Sequence, residues 1–428
     1  MHRVAILIVT VGVIAPASPA ARDGQGHGQN FVLVEEARLP LDPSPAGTST
    51  TDVDLVDVDG DGDLDIYKAQ GTDGFAGRPD QLLINDGDGH FVDESATRLP
   101  PENANSLKAD FGDVDGDGDL DAIVANVGPE LLLLNTGLGV FIDGSVSRLP
   151  PPPFNILDDL SADARFADVD GDGDLDILVS NEIPFPNGPP GAQDRLWIND
   201  GTGHFSDQTA TRLPAAIDQT AAMLPGDIDR DGDLDLVVLN RGPEKILVNS
   251  GAGFFSDETG DRFPVTADST RAGGLADLDR DGDLDLVTGN SRAEPAAIYF
   301  NDGRGVFVAV DFGMTPRPDE TIAGLELVDL DGDGDLDVYL SNAGALVSGH
   351  GFVGGPDRYF RNNGVGHFVE RTLSHFDPPD DPTTDAAFGD IDGDGDLDLV
   401  VGNSGENGSE RVFVNYPCAG ELCEPRSE

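Results

Sequence analysis

The chain has 428 residues, 81 acidic against 25 basic, with a formal net charge of −56 and a pI near 4.1. So anionic a surface excludes nucleic acid and anionic membranes as partners, and no apolar run is long enough for a membrane span. Glycine (55) and proline (30) are abundant, as many short strands and tight turns require, and no stretch after the first twenty residues has helical apolar periodicity.

Residues 1–20 read as a secretory signal. Arg3 supplies the positive end, Val4 to Ile14 an apolar run too short to span a bilayer, and Ala15-Pro16-Ala17 and Ser18-Pro19-Ala20 small-residue cleavage sites. The expected location is therefore extracellular or periplasmic. Residues 21–30 read as a linker, 31–416 as the folded domain and 417–428 as a tail. Cys418 and Cys423 lie in that tail and, in an oxidising compartment, are expected to close a small disulfide loop.

The first strong signal is Asp57-Val58-Asp59-Gly60-Asp61-Gly62-Asp63-Leu64-Asp65, one of seven copies with aspartate at positions one, three, five, seven and nine. The sets are Asp57, Asp59, Asp61, Asp63 and Asp65; Asp113, Asp115, Asp117, Asp119 and Asp121; Asp168, Asp170, Asp172, Asp174 and Asp176; Asp227, Asp229, Asp231, Asp233 and Asp235; Asp277, Asp279, Asp281, Asp283 and Asp285; Asp329, Asp331, Asp333, Asp335 and Asp337; Asp390, Asp392, Asp394, Asp396 and Asp398. Carboxylates this dense repel unless a cation gathers them, and hard oxygens at alternate positions around a glycine turn suit Ca2+. In this register positions one, three, five and nine offer side-chain oxygens and position seven its backbone carbonyl. An EF-hand would need glutamate at position twelve, which here is Lys68. A phosphate cradle fails because five carboxylates expel a phosphate. Seven Ca2+ ions, one per copy, would leave a charge of about −42 (−56 plus fourteen).

The copies start 56, 55, 59, 50, 52 and 61 residues apart, so the chain is an array of similar units. Each loop joins a β-rich segment before it, such as Ala109–Gly112 in the second unit, to one after it, such as Asp65–Ala69 in the first, forming a hairpin. A third segment, Gln81–Asn85 in the first unit, runs into an Asn-x-Gly-x-Gly-x-Phe turn that recurs at Asn135, Asn199, Asn249, Asn301 and Asn362. A fourth strand starts at the phenylalanine and is expected to run to an Arg-Leu-Pro stop, as at Arg98-Leu99-Pro100. Four antiparallel strands in each of seven units predict an all-β, seven-bladed β-propeller. The last unit lacks a fourth strand, and Phe31 to Ala37 matches that strand without a third before it. The N-terminal strand is therefore expected to close the last blade.

These loops, repeats and turns resemble the FG-GAP/VCBS repeat family, which includes the integrin α-subunit propellers. The resemblance covers nearly all of residues 31–416. It implies a calcium-bearing propeller with a binding or scaffolding role; members include adhesins, lectins, receptor ectodomains and the scaffolds of some polysaccharide lyases.

The cation loops and glycine turns should share one face of the ring, leaving the loops from second to third strand on the other. From Gln70, Asn126, Asn181, Asn240, Asn290, Asn342 and Asn403 to the asparagine ending the third strand, the intervals are 15, 9, 18, 9, 11, 20 and 12 residues. Blades one, three and six thus carry long loops, Gly71 to Asp80, Glu182 to Asp194 and Ala343 to Asp357, with Phe75, Phe185, His350 and Phe352 as their large side chains. The seven amides are expected to bond the turn ending each second strand rather than a sugar. His90, His204 and His367 occupy one repeat position, and Trp197 occupies a core-strand position. No nucleophile elbow, zinc signature or phosphate loop occurs. The sequence points to a monomeric, secreted, non-enzymatic binder of extracellular glycan or protein. The alternative is a calcium-dependent polysaccharide lyase, for which a clustered base is lacking.

Overall fold

The computed structural model describes residues 31–33, 39, 49–71, 77–101, 104–152, 160–182, 191–266, 268–291, 294–314, 317, 320–347, 351–371, 382–403 and 411–415. The expected signal segment, linker and cysteine tail lie outside these residues, as do Phe75, Phe185 and His350.

Seven four-stranded antiparallel sheets form the blades. In blade one Ser49–Val56 pairs with Asp65–Gly71, then Gln81–Asn85, then Phe91–Asp93. The first strands of successive blades are neighbours all the way round, and the first strand of blade seven, Thr383–Gly389, meets that of blade one. Blade seven ends as expected: Phe31–Leu33 pairs with Arg411–Asn415. Its register, Phe31 opposite Asn415, repeats Asn85 opposite Phe91, so the N-terminal strand substitutes for the missing fourth strand. Glu35 to Ala37, expected to extend it, lie outside the described residues.

Alternating apolar residues place a hydrophobic core in each of the seven seams between blades. Between blades two and three Ile123, Leu132, Phe166, Ile177, Trp197 and Phe205 pack together; between seven and one, Ile391, Val400 and Val412 meet Val53, Ile66 and Phe91. Trp197, 3% exposed, is a core residue as expected. Each fully buried large apolar side chain contributes on the order of 2 kcal/mol, spread evenly around the ring.

Two elements depart from expectation. The fourth strands are shorter than the Arg-Leu-Pro signature implied: Phe91–Asp93 gives way to a single helical turn, Ser95–Arg98, as do the equivalents before Arg148, Arg212 and Arg262. Asp93 stops the strand by accepting the Ser95 backbone N–H at 3.0 Å, and the Ser95 hydroxyl accepts the Leu82 N–H at 2.9 Å, holding the turn against the third strand. Blade six also carries an added hairpin, Ala345–Val347 paired with Gly351–Val353, within its long loop. Among the described residues no helix is long and apolar enough to cross a membrane.

A chain shortened to begin after Leu33 leaves Arg411–Asn415 as an open edge. Its melting temperature should fall and it should self-associate in sedimentation velocity; an unchanged monomer would contradict closure by this strand.

Candidate metal loops and the two faces of the ring

Each acidic loop is wound around its first aspartate. Asp57 accepts the N–H groups of Gly60 (2.8 Å) and Gly62 (3.0 Å), and Gly62 takes φ +100°, which an L side chain resists. The turn gathers oxygens of Asp57, Asp59 and Asp61 within 4.8 Å of one another. Asp113, Asp115 and Asp121 do the same, as do Asp168, Asp170 and Asp176; Asp227, Asp229 and Asp231; and Asp277, Asp279 and Asp285. Two more acidic groups among the described residues are equally tight. Several loops can therefore hold a metal ion.

The aspartate at position three is the informative one. Its Oδ2 faces an arginine, with Asp59–Arg98 at 3.1 Å, Asp115–Arg148 at 3.3 Å, Asp170–Arg212 at 3.2 Å and Asp229–Arg262 at 3.1 Å. The Oδ1 of each of these four is buried without a hydrogen-bond partner among the described residues. A buried, unsatisfied carboxylate oxygen is costly, and a cation at the loop centre supplies what it lacks.

At position nine, Asp65 has both oxygens engaged. Asp65 accepts the Asn85 N–H (2.8 Å) and the Val58 N–H (3.2 Å). Burial still pushes the carboxyls of Asp65, Asp121, Asp176, Asp235, Asp285, Asp337 and Asp398 up to about 7. The aspartate at position seven turns its side chain to the neighbouring turn: a Cβ on Gly87 would lie 2.5 Å from Asp63 Oδ2, and Gly137, Gly201 and Gly251 stand likewise over Asp119, Asp174 and Asp233.

The loops are also stapled to the next blade. Asn135 Nδ2 donates to the Leu120 carbonyl of its own blade (3.1 Å) and to the Val58 carbonyl of the preceding one (2.8 Å), while its Oδ1 accepts from Gly137 and Gly139, both at 3.1 Å. Asn85, Asn199, Asn249, Asn301 and Asn362 make the same crossing bond, Asn85 to Ile391 of blade seven. The Arg-Leu-Pro arginines cross the same seams. Arg98 donates to the Leu138 carbonyl of blade two, and Arg148 and Arg212 to Thr202 and Ala252 of their next blades. In blades four and five the glycine at loop position four is replaced by Arg230 and Arg280, both at φ 63°. Their side chains pair with Asp283 and Asp335 of the following blade, an ionic gain set against an unfavourable backbone conformation.

On the opposite face the amides are engaged internally. Asn126, Asn240 and Asn290 donate to the carbonyls of Pro129, Pro243 and Pro295, and Asn181 to that of Gln193. Outside blade five, the residue before the third strand is acidic, and it can reach into the next blade: Asp80 accepts the Ser106 hydroxyl (2.9 Å) and Asp194 the Thr220 hydroxyl (2.9 Å). The three long loops share a further contact. Asp80, Asp194 and Asp357 accept the backbone N–H of Gln70, Asn181 and Asn342 at 2.8, 2.9 and 2.6 Å, pinning both ends of each loop to the blade. The short loops of blades two and four have Glu130 and Glu244 there, bonded to Ser161 and Thr270.

Asn135→Ala removes two donors, one of them crossing the seam, and one shared acceptor, and should cost about 3 kcal/mol in chemical denaturation. A loss below about 1 kcal/mol would refute the stapling role. Burial raises the Asp80 carboxyl to about 6 and that of Asp194 to about 7. An unfolded aspartate loses its proton near pH 4, so between these values the folded state binds more protons and the groups' contribution to stability falls as pH rises. The melting temperature of the native chain minus that of Asp80→Asn/Asp194→Asn should therefore decline from pH 4 to 7.5; a constant difference would contradict it.

The FG-GAP-like repeat model matches residues 71–124, 113–179, 187–238, 227–288, 277–340 and 346–401. No curated protein sequence matches the chain. Among solved structures the chain is similar to BBS1N, crystallised in complex with ARL6DN, at 13% identity and TM-score 0.52, over 89% of this chain and 96% of that one. PorZ of Porphyromonas gingivalis, a bacterial surface component of the type-IX secretion system, matches at 12% identity and TM-score 0.52 over 88% of this chain, which spans 48% of PorZ. An N-acetylglucosamine-recognising lectin of Agrocybe aegerita matches at 19% identity and TM-score 0.49, over 77% and 80% of the two chains. At these identities the likeness shows the fold alone. With matched repeats spanning most of the ring and acidic loops in each blade, the chain belongs to the FG-GAP-like repeat family.

Proposed function

We propose that the protein is a secreted, calcium-loaded propeller that binds an extracellular glycan or protein without catalysing a reaction. The observation that carries this reading is the division of labour between faces. The acidic loops recur in every blade and are bonded into the seams, as befits structural elements, whereas the opposite face carries three long loops pinned at their bases by Asp80, Asp194 and Asp357. A rigid ring presenting unequal loops is suited to recognition.

The aspartates at positions one, three, five and nine of each loop would hold Ca2+ through side chains and the one at position seven through its carbonyl; the unsatisfied Oδ1 atoms of Asp59, Asp115, Asp170 and Asp229 support that fit. Bound Ca2+ would supply positive charge that offsets carboxylate repulsion and fixes each hairpin. The arginines at the position-three aspartate orient its carboxylate and carry the constraint into the next blade.

The test couples stability to binding. Chelator should lower the melting temperature by more than about 10 °C and added Ca2+ should restore it, since ligand release removes folding free energy. A melt indifferent to chelator would refute the cation role. The Ca2+-loaded chain should retain at least one partner from an array of glycans and extracellular proteins. Deletion of residues 183–193 or 344–356 should abolish that binding while leaving the melt within a few degrees; a folded deletion variant that binds undiminished would overturn the assignment of the face.

A further inference from the structure

The first strands of all seven blades enclose a cavity of about 650 Å³, within the range of small-molecule sites. Its wall is chemically divided. Along blades six, seven, one, two and three it carries six carboxylates, Asp52, Asp54, Asp110, Asp163, Glu326 and Asp385, against two cations, Lys108 and Arg165. Across the cavity blades four and five present Leu224, Pro225, Leu234, Leu275 and Leu284, with Asp227 as their one carboxylate.

The two cations are committed to one layer. Lys108 Nζ lies 2.6 Å from Asp52 and 3.7 Å from Asp385, and Arg165 Nε lies 2.6 Å from Asp163. Asp54, Asp110 and Glu326 make no ion pair among the described residues. Asp110 accepts the Phe166 N–H at 2.7 Å, a bond across the seam. Asp54 Oδ2 is shielded from solvent and has no hydrogen-bond partner among the described residues, although it borders a cavity. Burial and neighbouring acids hold the Asp54 and Asp385 carboxyls well above the ordinary range and raise that of Glu326 to about 8. With two cations against six carboxylates, this wall keeps carboxyls protonated for want of a counter-charge, and a cation entering the cavity would displace those protons while facing a largely apolar surface that would not solvate a hydrated metal ion.

We propose that the axial cavity binds an organic cation: a protonated amine on an apolar or aromatic body, its charge against Asp54, Asp110 and Glu326 and its body against Leu224, Pro225 and Leu275. The cavity touches the acidic loops at Asp227, but the proposed contacts lie on the first strands and apart from the long-loop face, and neither their success nor their failure bears on the recognition role of that face.

The test is calorimetric titration of the full, Ca2+-saturated chain with phenethylammonium chloride and, separately, with 2-phenylethanol, which matches its size without charge. One saturable site is expected for the amine, with the alcohol at least tenfold weaker. Asp54→Asn/Glu326→Gln should weaken the amine at least tenfold, leave the alcohol unmoved and raise the melting temperature, since it removes repulsion. Absence of saturable amine binding, equal binding of amine and alcohol, or undiminished amine binding by the folded variant would each overturn the proposal. Displacement of the amine by further Ca2+ would assign the cavity to an inorganic cation and also overturn it. If the variant fails to fold, the comparison of amine with alcohol on the native chain decides.

Discussion

In blades one to six a buried amide has to satisfy two loops at once, and much of the ring follows from that demand. Asn135 must present two donors, one to its own acidic loop and one to the preceding blade, together with an acceptor for two turn N–H groups. Aspartate lacks the donors, and glutamine would place its amide one bond too far out. The glycines that follow are fixed by the same crowding. Gly137 sits over Asp119, and a Cβ on Gly139 would meet Arg98 of the preceding blade at 2.5 Å. The Asn-x-Gly-x-Gly-x-Phe signature thus describes a seam between blades as much as a turn within one.

The number of blades and the closing strand were legible because both depend on counting: seven acidic loops, and one fourth strand found at the wrong end of the chain. The acidic loops were equally legible as candidate metal sites, since their geometry is local. What escaped the reading acts across seams. Arg98 looked like part of a strand terminator, yet it bonds a carbonyl forty residues away in another blade. The charged wall of the axial cavity was hidden for the same reason. Asp52, Asp54, Lys108, Asp110, Asp163 and Arg165 read as polar positions of ordinary alternating strands, and only closure of the ring brings them together. The blade-six hairpin lies in a glycine-rich insertion, where pairing register is weakly specified by sequence.

Departures from the repeat are compensated in pairs. Where other blades join an acidic residue to a serine or threonine of the next blade, blades five and six have buried Ala296 and Ile322. Both polar partners are gone together, which avoids leaving one buried and unsatisfied. Arg230 and Arg280 follow similar logic: each replaces a glycine, and each finds a carboxylate across the seam. The repeat therefore tolerates drift two residues at a time.

The pairing of Phe31–Leu33 with Arg411–Asn415 also bears on the order of events during synthesis. Partners almost the full length of the domain apart cannot meet until the last strand has emerged, so the first strand must wait through the formation of six blades. Long-range pairings of this kind are slow and leave edges exposed while they are incomplete. Premature capture of the waiting segment by a second nascent chain would create an intermolecular seventh blade, and thereby a domain-swapped assembly built from correctly folded parts.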